Sequence, residues 1–112
     1  SMREIVFEVT AKFEKHIRLT RSILQKIRLR HTEFRQPDYL EEIRRTVEDP
    51  AYIIRGWTDE YLCLRWCTIA PRAPKYLCVV YRELNGDGFI ITAFFISEYG
   101  RLLRREVVWP QS

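Results

Sequence analysis

The feature that most constrains the fold is a pair of apolar runs in residues 75–96, separated by a turn sequence. The runs Tyr76–Tyr81 and Phe89–Ile96 flank the tetrapeptide NGDG at residues 85–88, whose residue types tolerate the positive φ of a tight hairpin turn. Because both runs are almost continuously apolar, we predict central strands that are at least partly covered on both faces. Thr92 interrupts the second run, and burial of its hydroxyl without a partner would cost roughly 1–3 kcal/mol.

Residues 3–33 are predicted to form two strands and then a helix. Arg3–Val9 alternates apolar and polar residues, which indicates a half-buried strand. Phe13–Leu19 alternates near its end and is interpreted as a second short strand, with a helix as the alternative. Thr20 is the predicted N-cap of a helix Arg21–Glu33, because its hydroxyl can accept a hydrogen bond from a free amide of the first turn.

Residues 37–109 predict a second helix and then further strands. Asp38 is the expected N-cap of a helix Tyr39–Glu48, which has to stop before Pro50. The predicted strands are the two strands of the hairpin, an edge strand that ends the segment Ser97–Trp109, and the runs Tyr52–Arg55 and Tyr61–Ile69. Helices followed by strands are typical of an α+β fold. We therefore predict two N-terminal helices packed on one face of a mainly antiparallel sheet of four to five strands.

The composition limits the class of protein. A chain of 112 residues predicts a single domain, residues 2–112, that needs neither a metal nor a disulfide, and Ser1 is interpreted as a tag remnant. No long uncharged apolar stretch or signal-peptide pattern is seen, so we expect a cytoplasmic protein without a membrane partner. Cys63, Cys67 and Cys78 lack metal-binding spacing and are expected to be buried, reduced thiols.

The basic residues favour a nucleic-acid partner. The net charge is +4, and among 19 basic residues only Lys12, Lys15, Lys26 and Lys75 are lysine. The rest are arginine, whose planar guanidinium suits phosphate and stacked bases better than an ammonium does. Because an arginine bias also arises from genome composition, the bias alone does not establish RNA as the ligand.

The chain lacks the motifs of several enzyme classes. It has no glycine-rich phosphate loop, no nucleophile elbow and no cluster of metal ligands, so no cofactor is expected. The remaining groups suit phosphodiester cleavage without a metal, which needs a base, an acid, and cations where phosphate charge develops. His31, on the apolar face of the first helix, is the candidate acid or base. A histidine that only packs in the core or at a helix end is the alternative interpretation.

Three further residues complete the candidate catalytic set. Lys26 and Arg30 are four residues apart on the margin of the apolar helix face, where both can hold a phosphate. Thr92 can donate a hydrogen bond to the same phosphate. The structural alternatives are a solvated helix margin for the two cations and a strand threonine bonded to a neighbour for Thr92.

Substrate binding is assigned to residues of the predicted sheet. Arg65 is a candidate to hold phosphate, Tyr81 is a candidate to stack on a base, and Lys75 is a third substrate-binding candidate. The alternative for the aromatic residues is that they mostly serve the core.

Four segments resemble a family of small phage and bacterial domains. They are IRLTRSILQKIRLRHTEF, YLEEIRRTVEDPAYII, KYLCVVYRELNGDGFIITAFF and LLRREVVWP, within residues 17–110. The family is the barnase–EndoU–colicin–RelE-like (BECR fold) nuclease group, in particular its phage-associated members. By position, the arginine-histidine pair of the family falls on Arg30 and His31, and the threonine of its final strand falls on Thr92. Lys26 stands where the family has a first helix histidine.

The resemblance implies a metal-independent ribonuclease, toxin-like or carried by a prophage, that acts on structured RNA such as transfer RNA. If the family histidine is a catalytic base in relatives, Lys26 can replace it only as a cation or as a desolvated base. A catalytically inactive RNA-binding or protein-interaction module of the same fold is therefore the alternative function. A further possibility is a toxin whose basic face is covered by an acidic antitoxin or immunity protein.

Overall fold

The computed structural model describes residues 1–111 as one seven-stranded sheet with two α-helices. The helices are α1 (Arg21–Arg30) and α2 (Asp38–Glu48). The strands, in chain order, are β1 (Ile5–Thr10), β2 (His16–Thr20), β3 (Tyr52–Arg55), β4 (Glu60–Cys67), β5 (Lys75–Leu84), β6 (Asp87–Ile96) and β7 (Val107–Trp109). Short 3-10 turns lie at Lys12–Glu14, Thr32–Arg35 and Leu102–Arg104.

The sheet is larger than the sequence predicts. Its order is β1-β2-β6-β5-β4-β3-β7, and every neighbouring pair is antiparallel except β2 and β6, which are parallel. The α+β class is thus confirmed, but the prediction of four to five strands is wrong. The hairpin β1–β2 precedes both helices and extends one edge of the sheet, while β7 extends the other edge.

The predicted central hairpin is confirmed and is longer than expected. Its turn consists of Asn85 and Gly86, whose φ values are 54° and 86°. Two consecutive residues with positive φ are the signature of the turn that joins tightly paired strands. Gly88 already belongs to β6, and a Cβ there would lie 2.3 Å from the carbonyl oxygen of Arg82. Close strand approach therefore requires glycine at this position.

Both helices differ slightly from their predicted limits. The helix predicted to reach Glu33 ends at Arg30, because His31 has left the helical region at φ −131° and ψ 87°. The second helix begins at Asp38, and Pro37 is its N-cap residue, so the prediction of Asp38 as N-cap is wrong. It ends at Glu48, before Pro50, as predicted.

The central strands are covered on both faces, as the continuous apolar runs predict. On one face, α1 and α2 bury residues such as Ile27 and Ile43 against Leu77 and Val79 of β5. On the opposite face, a smaller buried cluster packs against the C-terminal segment; it comprises Ile54, Leu64, Cys78 and Val80 under Tyr99, Leu102 and Leu103. Neither α-helix of residues 1–111 is long and apolar enough to cross a membrane.

Candidate functional site

The first helix packs against the part of β6 that β2 leaves unpaired. β2 pairs with β6 only at Ile17 and Arg18, and α1 begins shortly afterwards. The hydroxyl of Thr20 accepts a hydrogen bond from the amide of Ile23 at 3.3 Å, so the predicted N-cap is confirmed. This cap fixes where the helix starts and therefore which of its residues face β6.

A small cavity lies between this helix and this strand. We call it the α1–β6 cavity; it has a volume of about 190 Å³ and is lined by Ile23, Lys26, Ile27, Arg30, Ile91 and Thr92. Lys26 and Arg30 are one helical turn apart and both are exposed. Neither forms an ion pair with any residue of the range 1–111. Their charges are therefore available to an anion in the cavity.

A β-bulge of β6 lies beside this cavity. Val80 pairs with Thr92 whereas the next residue, Tyr81, pairs with Ile90, so Ile91 is the extra residue of β6. Thr92 is half-buried, and its side chain forms no hydrogen bond within residues 1–111. Since no buried side-chain polar atom in this range lacks a partner, the hydroxyl of Thr92 is accessible to solvent. The alternative, a hydroxyl bonded to a neighbour, is not what these residues show.

His31 lies beside the α1–β6 cavity rather than in its lining. It follows Arg30 directly, and its amide donates a hydrogen bond to the carbonyl oxygen of Ile27 at 2.8 Å. Its half-buried ring has its centre 6.3 Å from that of Phe94 and 6.3 Å from that of Phe34. Phe94 is two residues beyond Thr92 on β6, so the imidazole of His31 lies near the strand that carries Thr92. Lys26, Arg30 and Thr92 thus line one cavity, and His31 adjoins it through Arg30 and Phe94.

Arg65 lies elsewhere, beneath α2. Its guanidinium Nη1 is 3.5 Å from Oε1 of Glu42, and the same carboxylate oxygen accepts a hydrogen bond from Sγ of Cys67 at 3.3 Å. The side chains of Arg65 and Glu42 are 29% and 12% exposed, so this is a partly buried ion pair. The charge that makes Arg65 a phosphate-binding candidate is already neutralised by Glu42.

Lys75 and Tyr81 line two further cavities. Lys75 lines one of about 710 Å³, at the start of β5. Tyr81 faces one of about 570 Å³ and stacks on Tyr61, with ring centres 5.4 Å apart. Tyr81 is 1% exposed, and burial raises the pKa of its hydroxyl above the ordinary value. The three predicted substrate-binding residues therefore do not share one site.

The three cysteines are buried, unlinked thiols, as the sequence predicts. Burial raises the pKa of Cys78 to about 12. Burial, and then the hydrogen bond to the Glu42 carboxylate, raise the pKa of Cys67 to about 11. Such thiols stay protonated and are poor nucleophiles and metal ligands. Within residues 1–111, no group of three or more histidine, cysteine or carboxylate side chains is arranged to hold a metal ion.

Sequence reasoning missed the residues that surround Lys75. Arg35, Arg72 and Phe95 line the same large cavity, although they belong to three different segments. The only local signal was Arg72, which stands in a short loop between Pro71 and Pro74. No spacing rule connects such a loop arginine with the end of a distant helix.

No family model, no curated protein and no solved structure matches the chain. The resemblance to BECR nucleases therefore stays a prediction from short motifs. The function of the chain has to be inferred from the side chains that its fold brings together.

Proposed function

We propose that this protein is a cytoplasmic ribonuclease that binds RNA at the α1–β6 cavity and cleaves it without a metal ion. One observation carries this proposal. Two cations without ion-pair partners in residues 1–111 and a threonine without a side-chain hydrogen bond there line one cavity, next to a histidine. These are the groups that a phosphodiester needs for binding and for charge stabilisation.

In the proposed reaction, the RNA phosphate lies between Lys26, Arg30 and Thr92. The 2′-hydroxyl attacks phosphorus and loses its proton, the bond to the 5′-oxygen breaks, and that oxygen gains a proton. A 2′,3′-cyclic phosphate remains on one product. The two cations and the hydroxyl of Thr92 stabilise the negative charge that develops on the phosphate oxygens. His31 transfers one of the two protons.

RNA binding without cleavage is the second candidate function. One observation favours it: among residues 1–111, no carboxylate lines the α1–β6 cavity, and His31 is the single imidazole beside it. Efficient transesterification uses both a base and an acid. Lys26, which the resemblance places at the position of the family histidine, is exposed and has no ion-pair partner in residues 1–111. The same basic surface is the one that an acidic antitoxin or immunity protein would cover.

The test is cleavage of total RNA and of transfer RNA in excess EDTA by the intact chain, beside His31→Ala. We expect His31→Ala to lose about a hundredfold or more in rate, because positioned proton transfer contributes about 10²–10⁴-fold. Products of the intact chain should carry 2′,3′-cyclic phosphate ends. His16→Ala is the matched control, since His16 is exposed on β2 and lies outside the cavity.

The outcomes separate the two candidates. Cleavage that persists unchanged in a folded His31→Ala protein contradicts the assignment of the catalytic histidine. RNA that is bound but left intact by the unaltered chain replaces the ribonuclease proposal with RNA binding alone.

A further inference from the structure

The cavity of about 710 Å³ at the start of β5 gathers positive charge from three separate segments. Arg35 comes from the 3-10 turn after α1, Arg72 from the β4–β5 loop, and Lys75 from the first position of β5. None of these cations forms an ion pair with residues 1–111. One carboxylate, Glu33, also lines the cavity, so positive charge prevails. Elsewhere, acidic neighbours hold cations such as Arg44 and Arg82.

The backbone at Arg72 is held in a strained conformation. Its φ is 72°, and the amide of Ala73 donates a hydrogen bond to the carbonyl oxygen of Pro71 at 2.9 Å. This is a γ-turn of the rare kind, with a positive central φ, at a residue that is not glycine. Pro71 and Pro74 stiffen the loop on either side. Strain of this kind persists where the surroundings impose it and is frequent in loops that clamp ligands.

The floor of the cavity is aromatic and well supported. Phe95 lines it and stacks on Phe34, with ring centres 5.1 Å apart and an angle of 9° between the planes. Tyr39 contacts the same ring edge-on, with centres 5.3 Å apart. The volume of about 710 Å³ lies within the usual range of small-molecule sites and exceeds what a single phosphate fills.

We propose that this cavity is a nucleoside-phosphate site. Arg35, Arg72 and Lys75 hold the phosphate by charge-assisted hydrogen bonds, and Phe95 contacts the base. The nucleoside phosphate can be a free nucleotide or one nucleotide of an RNA chain, since both present the same chemistry. The site shares no lining residue with the α1–β6 cavity, and it does not depend on RNA cleavage.

Arg72→Gly provides a test because this variant should still fold. Glycine adopts a positive φ without strain, so this variant should unfold at the same temperature as the intact chain or at a higher one. Loss of the guanidinium should raise the dissociation constant for AMP by about tenfold or more, because a charge-assisted hydrogen bond is lost. Calorimetric titration at low ionic strength measures the dissociation constant of AMP for both proteins. Arg101→Ala, which removes an exposed cation outside the cavity, is the matched control and should bind AMP as the intact chain does.

Four ligands define the site on the intact chain: AMP, adenosine, inorganic phosphate, and a dinucleotide with a 5′-phosphate. We expect AMP to bind more tightly than adenosine and than phosphate, and the dinucleotide arm shows whether a chain nucleotide is accepted as well as a free one. AMP that fails to bind the intact chain, or that binds Arg72→Gly equally well, overturns the proposal. Phosphate that binds as tightly as AMP overturns the contact between Phe95 and the base. Because binding is measured directly, a chain that fails to cleave RNA leaves this result intact.

Discussion

Arg30 and Arg65 have equal standing in the sequence as phosphate-binding arginines, yet the fold gives them opposite surroundings. Arg30 is exposed beside Lys26 at the α1–β6 cavity and has no acidic partner in residues 1–111. Arg65 is partly buried under α2 and paired with Glu42, which also accepts a hydrogen bond from the thiol of Cys67. The difference shows that availability, more than residue type, decides whether an arginine can bind a phosphate. A carboxylate on another element removes that availability for Arg65.

The largest expected effect is on RNA affinity, when the unpaired Arg30 and its neighbour Lys26 lose their charges. The double variant Lys26→Gln/Arg30→Gln should weaken RNA binding by about a hundredfold or more, because each charged hydrogen bond contributes about 1.5–3 kcal/mol. Binding should also become less dependent on salt, since fewer counterions are released. Titration of a labelled RNA at two salt concentrations measures both effects. Arg65→Gln is the matched control; an equal loss of affinity in that variant would remove the contrast between the two arginines.

The second effect is on the free energy of unfolding, when Arg65 loses its partner Glu42. Glu42→Ala should lower the free energy of unfolding by about 1–3 kcal/mol, because it leaves the partly buried Arg65 and the thiol of Cys67 without their acceptor. Urea denaturation measures this. Glu41→Ala, one position earlier on α2, removes an exposed carboxylate that pairs with Arg44 and should change stability by about 0.5 kcal/mol or less. Similar losses in both variants would mean that the Glu42 pair is an ordinary surface pair.

The smallest effect is on RNA cleavage in Thr92→Val, which should leave the stability of the fold nearly unchanged. Thr92→Val keeps the shape of the side chain and removes a hydroxyl that has no hydrogen bond within residues 1–111. The stability of the fold should therefore change by about 0.5 kcal/mol or less, while RNA cleavage falls by about tenfold, the value of one hydrogen bond to a charged group. Thermal unfolding and the EDTA cleavage assay measure the two quantities. A large loss of stability would show that the hydroxyl serves the fold instead.

Local patterns account for the elements that the sequence predicts well. The β5–β6 hairpin depends on a turn sequence and two apolar runs that are adjacent in the chain, and both are local. The capping threonine of α1 and the proline that follows α2 are local signals as well. The parallel pairing of β2 with β6 joins segments about seventy residues apart along the sequence, and no local pattern specifies it.

Among the candidate site residues, too, some are predicted by local sequence patterns and others depend on tertiary packing. Lys26, Arg30 and His31 share one helix and its end, so helical spacing predicts that they lie close together. Thr92 stands out because it interrupts an apolar strand. The partner of Arg65 and the meeting of Arg35 with Arg72 depend on tertiary packing, which spacing does not reveal. The end of α1 at Arg30 was missed because apolar spacing continues through His31 and Phe34 into a 3-10 turn.

The most direct test is to locate bound RNA by NMR on the intact, isotope-labelled chain. The probe is a 2′-O-methylated RNA oligonucleotide, which cannot undergo transesterification. We expect the largest changes in chemical shift at Lys26, Arg30 and Thr92 and at the imidazole of His31, with Arg65 unaffected. Changes confined to Arg65 and α2, or no changes at all, would contradict the assignment of the α1–β6 cavity as the RNA site.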